Sequence, residues 1–323
     1  MHKTLNMPII DFHTHIMTDK RTASGMRWLQ KIKDTDTSGS FIDTDADLNL
    51  TSEKAQQMLV DTGVDYYFNM FFPIFEGTTA EVNRWNYELS LKDPRCVPFV
   101  SLLPGDDNKR RILDQAFQEY KCLGLKLHPY PQRISAADPR LYEVYDYLQE
   151  AGRPALIHTG YEDIYKTECN QEELRKILKM FPRLIMVIPH LCYPDVDNAF
   201  NFLEEHPQIY LDATNALWNF KTIPPKEIWW EKLELYSERI VFGTDFTMGM
   251  AFPNRIYEHF AQIPLSKKAK KNLLFRTAAK MAGKCGRRQA FKYVVKSPGN
   301  SEVRIRRARR NSNQQKIRQS ILN

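Results

Sequence analysis

Residues 8–15 read Pro8-Ile9-Ile10-Asp11-Phe12-His13-Thr14-His15. A β-branched apolar run leads directly into two histidines two positions apart. On a strand, that spacing turns both imidazoles to one side. Two neutral imidazoles at the end of a buried strand make half of a divalent-metal site. Alone the pair is a weak sign. Its weight comes from what recurs downstream.

Seven further short apolar runs follow: 64–73 (VDYYFNMFFP), 97–104 (VPFVSLLP), 124–129 (GLKLHP), 154–159 (PALIHT), 184–191 (LIMVIPHL), 209–214 (IYLDAT) and 240–246 (IVFGTDF). Amphipathic stretches separate them, at 51–62, 79–92, 107–121, 138–151, 170–181, 195–205, 226–236 and 254–262, with a last one at 266–282. Helix-start signals stand at Thr51, at Asp138-Pro139 and at Asp195. Eight near-continuous apolar strands, each followed by a helix, predict a parallel sheet covered on both faces. Eight such units predict a closed (β/α)8 TIM barrel. The stretch from about 16 to 50 reads as one long loop after the first strand. Its polar half around 33–40 is expected on the catalytic face, as a lid or substrate-binding insertion or as a plain surface loop.

Composition bounds the class. A chain of 323 residues, 42% hydrophobic, holds one large α/β domain. Five scattered cysteines without a CxxC pair suit a reducing compartment rather than a disulfide framework. No apolar run approaches the length of a membrane span, and no secretory signal stands at the start, so no membrane partner and a cytoplasmic location are expected. The net charge of +7 is unevenly spread. Residues 286–323 hold eleven Lys or Arg and one acid, so this segment is +10 and the rest −3. The expected division is a barrel over 1–285 and a basic C-terminal tail over 286–323.

Chemistry in a barrel of this kind sits at the C-terminal ends of the strands. The first strand places His13 and His15 there, the fourth Lys126 and His128, the fifth His158, the sixth His190 and the eighth Asp245. Five of the eight histidines fall at such positions. Each residue has a plain structural reading: His158 as a hydrogen-bonded core histidine, His190 as a strand terminator, Asp245 as a helix N-cap, Lys126 as the partner of a core carboxylate. Together they change the balance. Five imidazoles, a lysine and an aspartate in one barrel mouth carry a large desolvation cost unless a metal or substrate offsets it.

DFHTH (11–15), GLKLHP (124–129), LIHTG (156–160), IPHL (188–191) and GTDF (243–246), in that order and spacing, resemble the amidohydrolase superfamily. The branch is that of amidohydrolase-related proteins similar to aminocarboxymuconate-semialdehyde decarboxylase. Asn272 through Gly283 (NLLFRTAAKMAG) resembles the closing helix of that branch, with Thr277 and Lys280 departing from it. The resemblance implies one divalent metal held by His13, His15, His158 and Asp245. Zn2+ suits three imidazoles and a carboxylate, and Mn2+, Fe2+ and Co2+ are compatible with the same donors. It implies His190, with Asp245, as the catalytic acid/base. In binuclear relatives a strand-4 lysine is carboxylated and bridges two metals. Here His128 follows Lys126 one pleat closer to the mouth, so a single metal is favoured and Lys126 and His128 are assigned to substrate, with Tyr130 and Gln132 as weaker candidates. No glutamate ligand of the kind that TatD-like nucleases carry on a middle strand stands in GLKLHP.

Three functions follow as expectations. The first is a metal-dependent hydrolase in which activated water attacks a carbonyl-type carbon of a small molecule. The second is a non-oxidative, metal-dependent decarboxylase, a lyase acting on a small carboxylic acid. The third is a non-catalytic barrel whose basic tail, with RIRRARR at 304–310, reaches nucleic acid or another anionic surface. A solvated tail without a dedicated partner competes with that last reading. Nothing in the chain decides between a monomer and a homo-oligomer.

Overall fold

A computed structural model describes residues 7–35, 49–221 and 224–287, together with Leu5 and Asp47. The basic segment from 288 onward, and with it the expected tail, lies outside the described residues, as does most of the polar stretch 36–48.

Eight strands appear at the eight expected places: β1 Ile10–Thr14, β2 Tyr66–Asn69, β3 Cys96–Pro98, β4 Leu125–Leu127, β5 Ala155–Ile157, β6 Met186–Ile188, β7 Ile209–Asp212 and β8 Ile240–Val241. All pair in parallel, in the order β1-β2-β3 and β4-β5-β6-β7-β8. Two seams close the ring. Val100 bridges Leu125 between β3 and β4, and Thr14 bridges Phe246 between β8 and β1. Backbone bonds reinforce both, with Lys126 N donating to Val100 O (2.8 Å) and Phe12 N to Phe242 O (3.1 Å). The result is the (β/α)8 barrel predicted from the alternation of runs.

The pattern that forms the helices is visible in Gln171–Met180, where Leu174, Ile177 and Leu178 make the i, i+3, i+4 stripe that is buried against the sheet. Thr51 caps its helix by accepting from Lys54 N at 3.2 Å, and Asp138 accepts from Arg140 N at 2.9 Å. Asp195, expected to act likewise, makes no side-chain cap bond. The larger correction concerns the long first loop. Its first half is a 17-residue helix, Asp19–Thr35. Few apolar residues betray it, but Met26 and Leu29 are buried, and Asp19 Oδ1 accepts from both Ser52 N (2.7 Å) and Ser52 Oγ (2.8 Å) of the next helix.

The barrel interior has two levels. Below, Ile10, Phe12, Phe68, Val97, Phe99, Leu123, Leu156 and Val187 pack together, and the closing helix seals them with Phe275, Ala278 and Met281. Above, the interior turns polar. The change happens within one residue of β1, because its register with β2 shifts between Asp11 and Thr14. Phe12 packs on Phe68 with ring centroids 5.1 Å apart, whereas the next side chain, His13, reaches Lys126 and Asp212. Such an irregularity re-aims side chains beside a functional site.

Candidate metal centre

Asp245 reaches His13 and His15 because β8 presses close on β1. A Cβ on Gly243 would lie 2.5 Å from His13 N and 2.7 Å from Asp11 Oδ1, so only glycine permits the approach. Asp11 then ties the two chain segments, accepting from Thr244 N (3.0 Å), Thr244 Oγ1 (2.7 Å) and Tyr257 OH (2.9 Å). Burial pushes the Asp11 carboxyl up to about 6 against these bonds. The loops at the mouth carry strain. His190 (φ 58°), Asp245 (φ 58°), Asn215 (φ 61°) and Tyr161 (φ 61°) are all left-handed without being glycine. Each costs on the order of 1 kcal/mol, a cost that collects at functional sites.

The hydrogen bonds fix the imidazoles one by one. His13 Nδ1 lies 2.7 Å from Asp212 Oδ2, so a carboxylate there accepts from Nδ1–H and leaves Nε2 with its lone pair. His15 Nδ1 donates to Met70 O at 3.0 Å, which leaves its Nε2 the same way. His190 Nδ1 donates to Thr214 O (3.0 Å), so its Nε2 accepts from His158 Nδ1 at 3.2 Å. His158 Nε2 is then a lone pair, and it is buried without a hydrogen-bond partner.

Three acceptors converge on one spot. His13 Nε2 and His15 Nε2 are 3.1 Å apart, and Asp245 Oδ1 lies 3.1 Å from His15 Nε2 and 3.5 Å from His13 Nε2. Among the described residues these three form the one group whose donor atoms fall within 4.8 Å of one another. His158 stands outside that group, beside His190 and stacked on His128 with centroids 3.7 Å apart.

The spot demands positive charge, and among the described residues the only cationic side chain bonded at it is Lys126. Burial lowers the basicity of His15, and that of His13 far more, with Lys126 adding to the effect. Burial alone would raise Asp245, yet its bond to His15 and the nearby cationic groups hold it below the usual carboxylate range. Lys126 Nζ lies 3.0 Å from His13 Nε2, but burial pushes this amine down to about 8. Two imidazole lone pairs and a carboxylate oxygen so arranged fit a divalent cation, with His158 Nε2 as a further free donor. His190, stacked over His13 at 5.3 Å, is pushed down to about 4 by burial and stays neutral at physiological pH.

A narrow cavity of about 20 Å3 opens onto this centre, lined by His158, His190, Asn215 and Asp245 together with Trp28, Tyr161, Tyr165, Met248 and Met250. Trp28, with Leu29 and Ile32, comes from the helix Asp19–Thr35, so the insertion after β1 does cover the mouth. Lys126 and His128 are not part of that lining. His128 Nε2 meets Tyr165 OH at 3.1 Å. Tyr130 OH lies 3.1 Å from both Glu162 Oε1 and Asn170 Oδ1, sharing its one proton between them. Gln132 accepts from His128 N (2.6 Å) and donates to Pro73 O (3.0 Å), so both residues brace loops. Sequence reasoning passed over Asp212, Thr214 and Asn215. The available signal was an acid ending the apolar run IYLDAT, in the place where β5 and β6 are followed by His158 and His190.

The amidohydrolase family model matches residues 10–283. The chain belongs to the amidohydrolase family. Its fold is similar to an uncharacterised TIM-barrel protein from Bordetella bronchiseptica, with a TM-score of 0.67, 18% identity, and 87% of this chain and 100% of that one covered. It is also similar to a 5-carboxyvanillate decarboxylase from Novosphingobium aromaticivorans solved with bound manganese (TM-score 0.61, 12% identity, 86% and 97% covered). A third likeness is to dihydroorotase from Saccharomyces cerevisiae in complex with 5-fluoroorotic acid (TM-score 0.53, 12% identity, 86% and 84% covered). No curated protein matches the chain in sequence. This amidohydrolase-family barrel thus shares its fold with both a decarboxylase and a dihydroorotase. Among the described residues no helix is long and apolar enough to cross a membrane.

Proposed function

We propose that the chain is a metal-dependent hydrolase of the amidohydrolase type, acting on a carbonyl-type carbon of a small molecule. The observation that carries this reading is the convergence of His13 Nε2, His15 Nε2 and Asp245 Oδ1, each held there by a bond on its far side. His158, whose Nε2 is buried without a partner but lies outside that group, would be the fourth donor. A divalent cation bound there, Zn2+ by donor chemistry, would polarise a carbonyl oxygen and acidify water. His190, fixed through Thr214 O, would take up the proton at Nε2 on releasing the bond from His158 Nδ1, and would return it to the leaving group. The aromatic and methionine wall above excludes water and holds an apolar body.

Decarboxylation of a small carboxylic acid is the second reading, and Lys126 favours it. Its amine lies at the centre beside His13, buried just outside the cavity lining, where it would be the cationic group offered to a carboxylate. The cavity lining itself includes no Lys or Arg, which suits an uncharged substrate and so hydrolysis. Metal analysis of protein purified without chelator, followed by parallel screens of neutral esters, lactones and amides and of aromatic or enoic acids, tests both. About one equivalent of metal with turnover of the neutral set is expected. Release of carbon dioxide from the acids instead would transfer the assignment to the lyase, and absence of metal with no activity on adding it would remove both.

A further inference from the structure

The end of β7 carries none of the expected catalytic residues, yet it holds three groups of the centre. Asp212 Oδ2 meets His13 Nδ1 at 2.7 Å, Thr214 O accepts from His190 Nδ1 at 3.0 Å, and Asn215 Nδ2 donates to Asp245 Oδ2 at 2.6 Å. Asp212 is fully buried. Its other oxygen, Oδ1, is already committed to Thr214 N (3.0 Å) and Thr214 Oγ1 (2.5 Å). We propose that Asp212 is the positioning residue that sets the tautomer of His13, and through it decides whether the centre can take a metal. The inference rests on the metal-centre reading given above.

The geometry makes an unusual demand on the isosteric variant. In Asp212→Asn, the amide oxygen must face Thr214 N, because that backbone donor cannot turn away. The amide NH2 is then forced toward His13 Nδ1. Two donors cannot face each other, so the ring proton moves to Nε2, the atom that a metal needs. Asp212→Ala merely removes the partner and leaves both tautomers open. A purely structural role predicts the opposite order, since the isostere fills the space and alanine leaves a buried gap.

The test is Co2+ and Zn2+ affinity of the wild type, Asp212→Ala and Asp212→Asn at pH 8. It is paired with imidazole 15N spectra of the metal-free proteins, with His13 assigned from its missing signals in His13→Gln. Expected are a roughly 10- to 100-fold loss of affinity in Asp212→Ala and a larger loss in Asp212→Asn. His13 should carry its proton on Nδ1 in the wild type and on Nε2 in Asp212→Asn. Asp212→Asn binding as tightly as Asp212→Ala, or His13 keeping Nδ1–H in it, overturns the proposal. If the wild type takes up no metal, the metal reading fails and the 15N spectra still decide the role of Asp212. Should Asp212→Asn not fold, the wild-type spectrum decides: Nδ1–H supports the proposal and Nε2–H overturns it.

Discussion

The lower and upper levels of the barrel interior are built from the same strands and do opposite things. Phe12 and His13 are neighbours in sequence, both wholly buried, and face different company. Below, aromatic and branched side chains meet only one another and the closing helix. Above, His13, His15, Lys126, Asp212 and Asp245 are packed together and buried, with Asp245 facing the cavity. The lower level stabilises the fold through apolar burial. The upper level is held against a desolvation cost, offset in part by bonds such as Asp212–His13 and Asn215–Asp245, while lone pairs such as His158 Nε2 stay unpaired. One barrel thus separates stability from chemistry by a single step along a strand.

Substitutions should separate the two levels. Asp245→Asn is expected to cut turnover by orders of magnitude while far-UV circular dichroism stays unchanged. Unaltered turnover would remove Asp245 from the chemistry. Phe12→Ala, one level down, should cost about 3–5 kcal/mol of stability by removing a buried ring. Denaturant titration measures it, and a loss below about 1 kcal/mol would show that the lower level is not the stabilising one. His190→Asn should keep its metal and lose about 100-fold or more in rate. Loss of the metal instead would make His190 a ligand.

The upper level also sets the response to acid. Burial lowers His13, His15, His128, His158 and His190, the last to about 4. An unfolded histidine titrates near 6.5, so between about 4 and 6.5 the unfolded chain binds more protons. The contribution of these histidines is complete above pH 6.5 and is lost as pH falls toward 4. Asp212, pushed up to about 7, and Asp11, pushed up to about 6, work the other way over the range above the usual carboxylate value. All five histidines shift in the direction that loses stability on acidification, which is the expected net effect. The metal-free protein should melt at a lower temperature at pH 5 than at pH 7, and His190→Gln should narrow the gap. The smallest effect belongs to the basic segment. Deleting 288–323 should leave turnover of a small substrate and the melting temperature unchanged, whereas collapse of either would tie the segment to the site or the fold.

Much of this was legible in the sequence, for local reasons. A strand buried on both faces must be apolar along its length, so eight such runs announce themselves, and residues at their ends share one barrel rim. That logic located His13, His15, Lys126, His128, His158, His190 and Asp245. It passed over the helix Asp19–Thr35, whose apolar positions are few and whose first residue, Asp19, accepts from Ser52, 33 residues away. It also passed over Asp212, Thr214 and Asn215, which look like an ordinary strand end until the barrel closes.

What the sequence determined by itself is the set of elements and the inventory of donors, because hydrophobic period and residue chemistry are properties of neighbours along the chain. What only the tertiary structure decided is which lone pairs meet. That depends on the shift of register in β1, on the glycine that lets β8 approach it, and on a carboxylate 199 positions from His13 that fixes where its proton sits. Distances between strands brought together by closure are not encoded in any local pattern, and at a metal centre a few tenths of an ångström and one proton decide the chemistry.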